Sequence, residues 1–97
     1  MQVALMRFDL RIPGARSLKQ KRHVVKSLTA AIRSKFNVSV AEVDHQDLWQ
    51  RTTLAVATTG AEGHHVRAVM QRVERFVEAW GEVELIGADL TLHGPED

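Results

Sequence analysis

Four cations at helical spacing, Lys19, Arg22, Lys26 and Arg33, stand in a stretch from Ser17 to Phe36 that contains no aspartate or glutamate. Ammonium and guanidinium groups three, four and seven residues apart share one side of a helix. Their chemistry there is to hold the oxygens of phosphates or carboxylates. The imbalance extends beyond this stripe. Arg7, Arg11, Arg16, Lys19, Lys21, Arg22, Lys26, Arg33 and Lys35 face a single acid, Asp9, in residues 1–36, so nine cations less one carboxylate leave +8. Over the other 61 residues Arg51, Arg67, Arg72 and Arg75 meet eleven carboxylates, leaving −7. The formal net charge of +1 thus hides a dipolar chain, and such a division points to a basic surface that meets a polyanion.

A row of charges on a helix is often only its solvated face. Such faces usually mix signs and gain a little from Glu–Lys pairs one turn apart. This one has no acids, and its first-turn cations sit at the positive end of the helix dipole, where they are mildly unfavourable. An external anion would offset both costs. Arg16, Lys19, Lys21, Arg22, Lys26 and Arg33 are therefore the candidate nucleic-acid contacts. Lys21 differs from the rest because its azimuth coincides with the apolar face of the same helix. It could snorkel past the end of a sheet, pair with a carboxylate, or hold a ligand anion.

Other chemistries find less support. There is no cysteine, which excludes disulfides, thiolate metal sites and a cysteine nucleophile. His64 and His65 are adjacent and cannot share a helix face, and His45 beside Asp44 and Asp47 resembles a ligand set only weakly, so no metal or cofactor is expected. No phosphate-cradling glycine loop and no nucleophile elbow occurs. Ser17, Ser27, Ser34 and Ser39 have no evident base, and no catalytic residue is assigned.

The elements that must position these residues are legible from periodicity. Ala4, Met6, Phe8, Leu10 and Ile12 alternate with Val3, Leu5, Arg7, Asp9 and Arg11, the period of a strand with one buried face. Pro13-Gly14 breaks it. Ser17 then caps a helix whose apolar face is Leu18, Val25, Leu28 and Ile32, running to about Phe36 with Asn37 as its stop. VSVAEVD (38–44) and QRTTLAVATT (50–59) read as strands joined through HQDLW (45–49). Val66, Val69, Val73, Val77 and Trp80 mark a second helix, closed by Gly81. Residues 82–92 form a last strand with a bulge around Gly87.

The order β-α-β-β-α-β predicts one α+β domain over 1–97. It has the ferredoxin-like split-βαβ arrangement, with an antiparallel four-stranded sheet and both helices on one face. In that topology the end of the first strand, the start of the first helix and the central hairpin meet at one edge. Arg11, Asp44, His45, Gln46, Asp47 and Trp49 form a candidate loop-edge site there, close to Arg16, Lys19 and Lys21, with Trp80 and Glu82 reaching the same edge. Val3, Leu5, Val38 and Val40 are expected on the open sheet face, an apolar patch suited to a homodimer.

SLKQKR (17–22), VVKSL (24–28), FNVSVAEVD (36–44) and HQDLWQR (45–51) resemble the YlxP-like family of small bacterial proteins, and the likeness runs over almost the whole chain. The resemblance implies a ferredoxin-like fold. The family's genes commonly sit beside translation and ribosome-maturation genes, which implies a role near RNA. It carries no established catalytic residues. Two functions are thus in view. One is a non-enzymatic RNA- or ribosome-associated protein docking its basic helix on phosphates; no RRM-type aromatic signature is present for sheet-face stacking. The other is a small-anion or metabolite-binding homo-oligomer using Arg16, Lys21, Asp44, His45 and Trp49. The N-terminal stretch is neither a signal peptide nor a membrane span, and a cytoplasmic protein without a membrane partner is expected.

Overall fold

Strict alternation from Ala4 to Ile12 does bury one face: Ala4, Met6, Phe8, Leu10 and Ile12 all lie in the core. In the computed structural model, which describes residues 1–95, this strand is β1 (Gln2–Arg11). It is followed by α1 (Leu18–Lys35), β2 (Ser39–Asp44), β3 (Arg51–Gly60), α2 (Gly63–Glu78) and β4 (Glu84–His93). The strands lie in the order β2-β3-β1-β4 and every neighbouring pair is antiparallel. This is the ferredoxin-like α+β arrangement that the element order implies. No helix among the described residues is long and apolar enough to cross a membrane.

Both helices pack on one face of the sheet. Val24, Leu28 and Ile32 of α1 and Val66, Met70, Val73 and Val77 of α2 close over Phe8, Leu10, Leu54 and Val56. Ser17 caps α1 as its sequence suggests: its Oγ accepts from the Gln20 N–H at 3.1 Å, while Gln20 Oε1 accepts from the Arg16 N–H at 2.6 Å. Two donors that the helix itself cannot satisfy are thereby paired.

Three local expectations are corrected. Val38 and Val40 belong to the core side, not the open face. Val40 pairs with Val56 across β2 and β3, and side chains opposite one another in a ladder share a face. The open face of β2 carries Ser39, Ala41 and Val43 instead. Asn37 and Gly81 do not end their helices in a left-handed conformation. The cap of α1 is Phe36 in extended geometry, whose ring leaves the helix to meet Phe76 edge-on at 5.7 Å. The cap of α2 is Ala79, and no described glycine has positive φ.

The bulge in β4 is present. Asp9 pairs with Gly87 and Leu10 with Leu85, leaving Ile86 as the extra residue. A second bulge in β2 sets Glu42 opposite Leu54 and Asp44 opposite Thr53, with Val43 extra. It has a consequence for the site: Glu42, still in regular register opposite Leu54, keeps the helix side, while Asp44 is carried to the open face opposite Thr53.

The cap gives a direct test. Ser17→Ala removes the acceptor of the Gln20 N–H at an exposed helix start and should lower stability by about 1 kcal/mol in urea unfolding. An unchanged midpoint would mean that water replaces the cap without loss.

Candidate nucleic-acid interface

Lys21 lies on the buried face of α1 between Val24 and Leu18, and none of its surface is exposed. An ammonium has three protons, and all three find acceptors. Its Nζ donates to the carbonyl oxygens of His45 at 2.8 Å and Gln46 at 3.0 Å, and lies 2.8 Å from Glu42 Oε2. The same carboxylate oxygen accepts from Thr52 Oγ1 at 2.6 Å. Of the readings open to Lys21, the carboxylate pair is the one found. Lys21 is thereby withdrawn from the phosphate contacts, and the small-anion reading loses its central cation. A saturated, buried ammonium has no proton left for a ligand.

The hairpin connection is built around this staple. His45 has φ of 60°, the left-handed region, which costs a residue with a Cβ roughly 1–2 kcal/mol. Its carbonyl is held by Lys21, its N–H donates to Asp44 Oδ1 at 2.7 Å, and its Nδ1 lies 3.0 Å from Thr53 Oγ1. The Thr53 hydroxyl donates its one proton to Asp9 Oδ1 at 2.8 Å. Nδ1 must therefore be the donor to Thr53, which fixes the tautomer and leaves Nε2 as the free ring nitrogen.

The remaining loop-edge residues do not converge on one point. Arg11 is on the open face, 3.7 Å from Glu84 of β4. Gln46 contributes its carbonyl to Lys21, Asp47 is exposed, and Trp49 stands 53% exposed. Trp80 packs on Phe76, with ring centroids 5.7 Å apart.

The basic flank of α1 is arranged differently. Arg16, Lys19, Arg22 and Lys26 are exposed, and no carboxylate among the described residues lies within ion-pairing distance of them. Arg33, at the far end of the row, donates to the Val40 carbonyl at 2.6 Å and so ties the flank to β2. Elsewhere Arg7 is 3.6 Å from Asp9. The acid-free flank is thus a surface of unneutralised cations.

Sequence reasoning missed a groove of about 740 Å³ between the β1–α1 connection, the first turns of α1 and the turn before β4. Ile12, Pro13, Ala15 and Val24 line it, with Lys19 and Glu82. The only hint was Pro13-Gly14, which widens the connection. Gln50 was also overlooked. Its side chain donates to the Ala15 carbonyl at 3.0 Å and to that of Pro13 at 3.3 Å, joining the hairpin to the same connection.

Fold and site together define a small α+β protein of the split-βαβ kind, with one helix presenting an unpaired basic flank. The chain belongs to the family described as Protein of unknown function (DUF503), whose model matches residues 3–90. It is similar to the uncharacterized protein YlxP of Bacillus subtilis (strain 168), at 39% identity over 73 residues that span 75% of this chain and 79% of that protein. The likeness carried by SLKQKR and FNVSVAEVDHQDLWQR is therefore one of membership.

The staple predicts a specific pattern of stabilities. Lys21→Met leaves Glu42 and two carbonyls without their partner and should cost about 3 kcal/mol in urea unfolding. Lys21→Met with Glu42→Leu should recover only part of this, because the His45 and Gln46 carbonyls and the Thr52 hydroxyl stay unpaired. Full recovery would show that the ion pair alone matters and that the connection is held by other means.

Proposed function

We propose that this chain is a binding protein that docks the exposed flank of α1 on the phosphate backbone of RNA, as a ribosome-associated accessory factor. One observation carries the reading: Lys19, Arg22 and Lys26, with Arg16 before them, are exposed and lack carboxylate partners among the described residues, whereas Arg7, Arg11 and Lys21 have theirs. Cations kept free of internal partners on a helix side are available to displace counterions from a polyanion. Arg33 spends one donor on β2 and completes the row only in part.

Changing Lys19, Arg22 and Lys26 together to glutamate should abolish retention on ribosomal RNA at moderate salt. It should also flatten the logarithmic salt dependence of binding by roughly two. Stability should change little, since the three side chains are solvated. A wild-type protein that shows no salt-sensitive binding to ribosomal RNA or ribosomal particles would end this reading.

The open face favours a second element, a homodimer. Leu5, Val43 and Ile86 are 40%, 50% and 47% exposed, away from the face that the helices cover. Arg7 of β1 stands opposite Asp89 of β4 on the same face, an arrangement of opposite charges that two copies related by a two-fold axis can exchange. Light scattering over a concentration series should give twice the monomer mass, reverting to the monomer on Leu5→Lys. A monomer mass throughout removes the dimer and leaves the basic flank untouched.

A further inference from the structure

The groove at the foot of α1 is continuous with the basic flank through a shared residue. Lys19 lines the groove and is also the first member of the exposed row that continues with Arg22 and Lys26. The steps of three and four residues amount to about 4.5 and 6 Å along the helix axis, close enough to serve neighbouring phosphates of one strand. The groove walls have another character. Ile12, Ala15 and Val24 are core residues whose faces end there, and Pro13 adds a rigid ring. A concavity of about 740 Å³ that joins these apolar walls to a polar margin of Ser17, Gln20 and His23, with Lys19 and Glu82, suits a flat organic group with polar edges.

We propose that this groove receives one unstacked base of a single RNA strand whose phosphates lie along α1. The inference rests on the RNA reading above and adds the form of RNA and the mode of contact. A duplex keeps its bases stacked and paired and has nothing to place in such a groove, whereas a loop or single strand can turn a base outward. The inserted base removes its faces from water against Pro13 and the aliphatic walls. The phosphate of the same nucleotide remains at Lys19. The Glu82 carboxylate accepts from an exocyclic amino group, which cytosine, adenine and guanine possess and uracil lacks.

Two glycines make the groove testable without disturbing the fold. Gly14 and Gly81 belong to its lining, neither has positive φ, and a Cβ added at either meets no atom within 4 Å. A leucine at either position therefore starts from a Cβ that meets no clash at the rim of the groove. The probe is a short oligocytidylate carrying one 2-aminopurine, used as a single strand and annealed to its complement, with the full chain at low salt. The single strand should bind more tightly than the duplex, and the 2-aminopurine emission should change as its base leaves the stack. Gly14→Leu and Gly81→Leu should each weaken single-strand binding by roughly tenfold while leaving duplex binding and the urea midpoint as in the wild type.

Equal affinity for both forms, or groove-filled variants that bind the single strand like the wild type, would overturn base insertion. The flank reading would then still stand if binding falls with salt and with the Lys19, Arg22 and Lys26 substitutions. Absence of binding to either form would remove both. Cytidine monophosphate bound in the groove, with no difference between single strand and duplex, would make it a small-molecule site and also overturn the strand proposal.

Discussion

The Lys21 ammonium, closed off from water beneath the sheet, sets the shape of one whole end of the molecule. Its three protons go to Glu42 and to the carbonyls of His45 and Gln46, so α1, β2 and the hairpin connection are joined at one atom. A charge without exposed surface is tolerable only with such complete pairing, since the desolvation it has undergone is worth several kcal/mol. Complete pairing in turn demands that Glu42 point inward, which its place opposite Leu54 in the regular ladder achieves, and that His45 adopt a left-handed backbone. The staple thus explains an irregularity, the left-handed His45, that would otherwise look like a defect. It also explains why a loop that has no Asn-Gly or Asp-Gly turn takes a defined form.

From this end the order of the chain arranges the rest. His45 reaches back across the open face to Thr53, Thr53 to Asp9, and Asp9 toward Arg7. Gln50 ties the hairpin to the β1–α1 connection. Two acids near the hairpin are taken up by these bonds: Glu42 by Lys21 and Thr52, Asp44 by the His45 N–H. Asp47 stays exposed, and no carboxylate among the described residues pairs with Arg16, Lys19, Arg22 or Lys26. The division of charge along the chain therefore survives folding as a division of surface, and the free cations are the ones that the internal network had no use for.

Much of the fold was legible because its signals are local. Period-two alternation placed Phe8 and Leu10 inside, helical spacing placed Leu28 and Ile32, and Ser17 announced its cap. The face of Val40 was misread because a short strand with valines at 38, 40 and 43 offers both faces an apolar residue and does not declare its register; the partner strand decides that. The helix ends fall just before Asn37 and Gly81 because Phe36 in extended geometry caps α1 and Ala79 caps α2, neither of which needs a left-handed residue. At the candidate site the row Lys19, Arg22, Lys26 and Arg33 was visible as a pattern, and the oddity of Lys21 on an apolar azimuth was visible too. Its three acceptors were not, since two are backbone carbonyls, which leave no trace in residue identity. The groove was invisible for a related reason. It is a space between segments distant in sequence, and only the packing of the α2–β4 turn against the start of α1 creates it.

One bond on the flank reaches further than its length suggests. β2 is an outer strand, and a strand with a free edge is a template on which another extended chain can align and grow into aggregates. Arg33 covers the Val40 carbonyl there, and the extra residue Val43 interrupts the regular ladder a few positions on. Together they deny an incoming strand the unbroken row of acceptors it would need. The same arginine that closes the basic row thus keeps the sheet finite on this side, and a chain carrying a neutral residue at position 33 would face its greatest hazard not in binding but in remaining dispersed at high concentration.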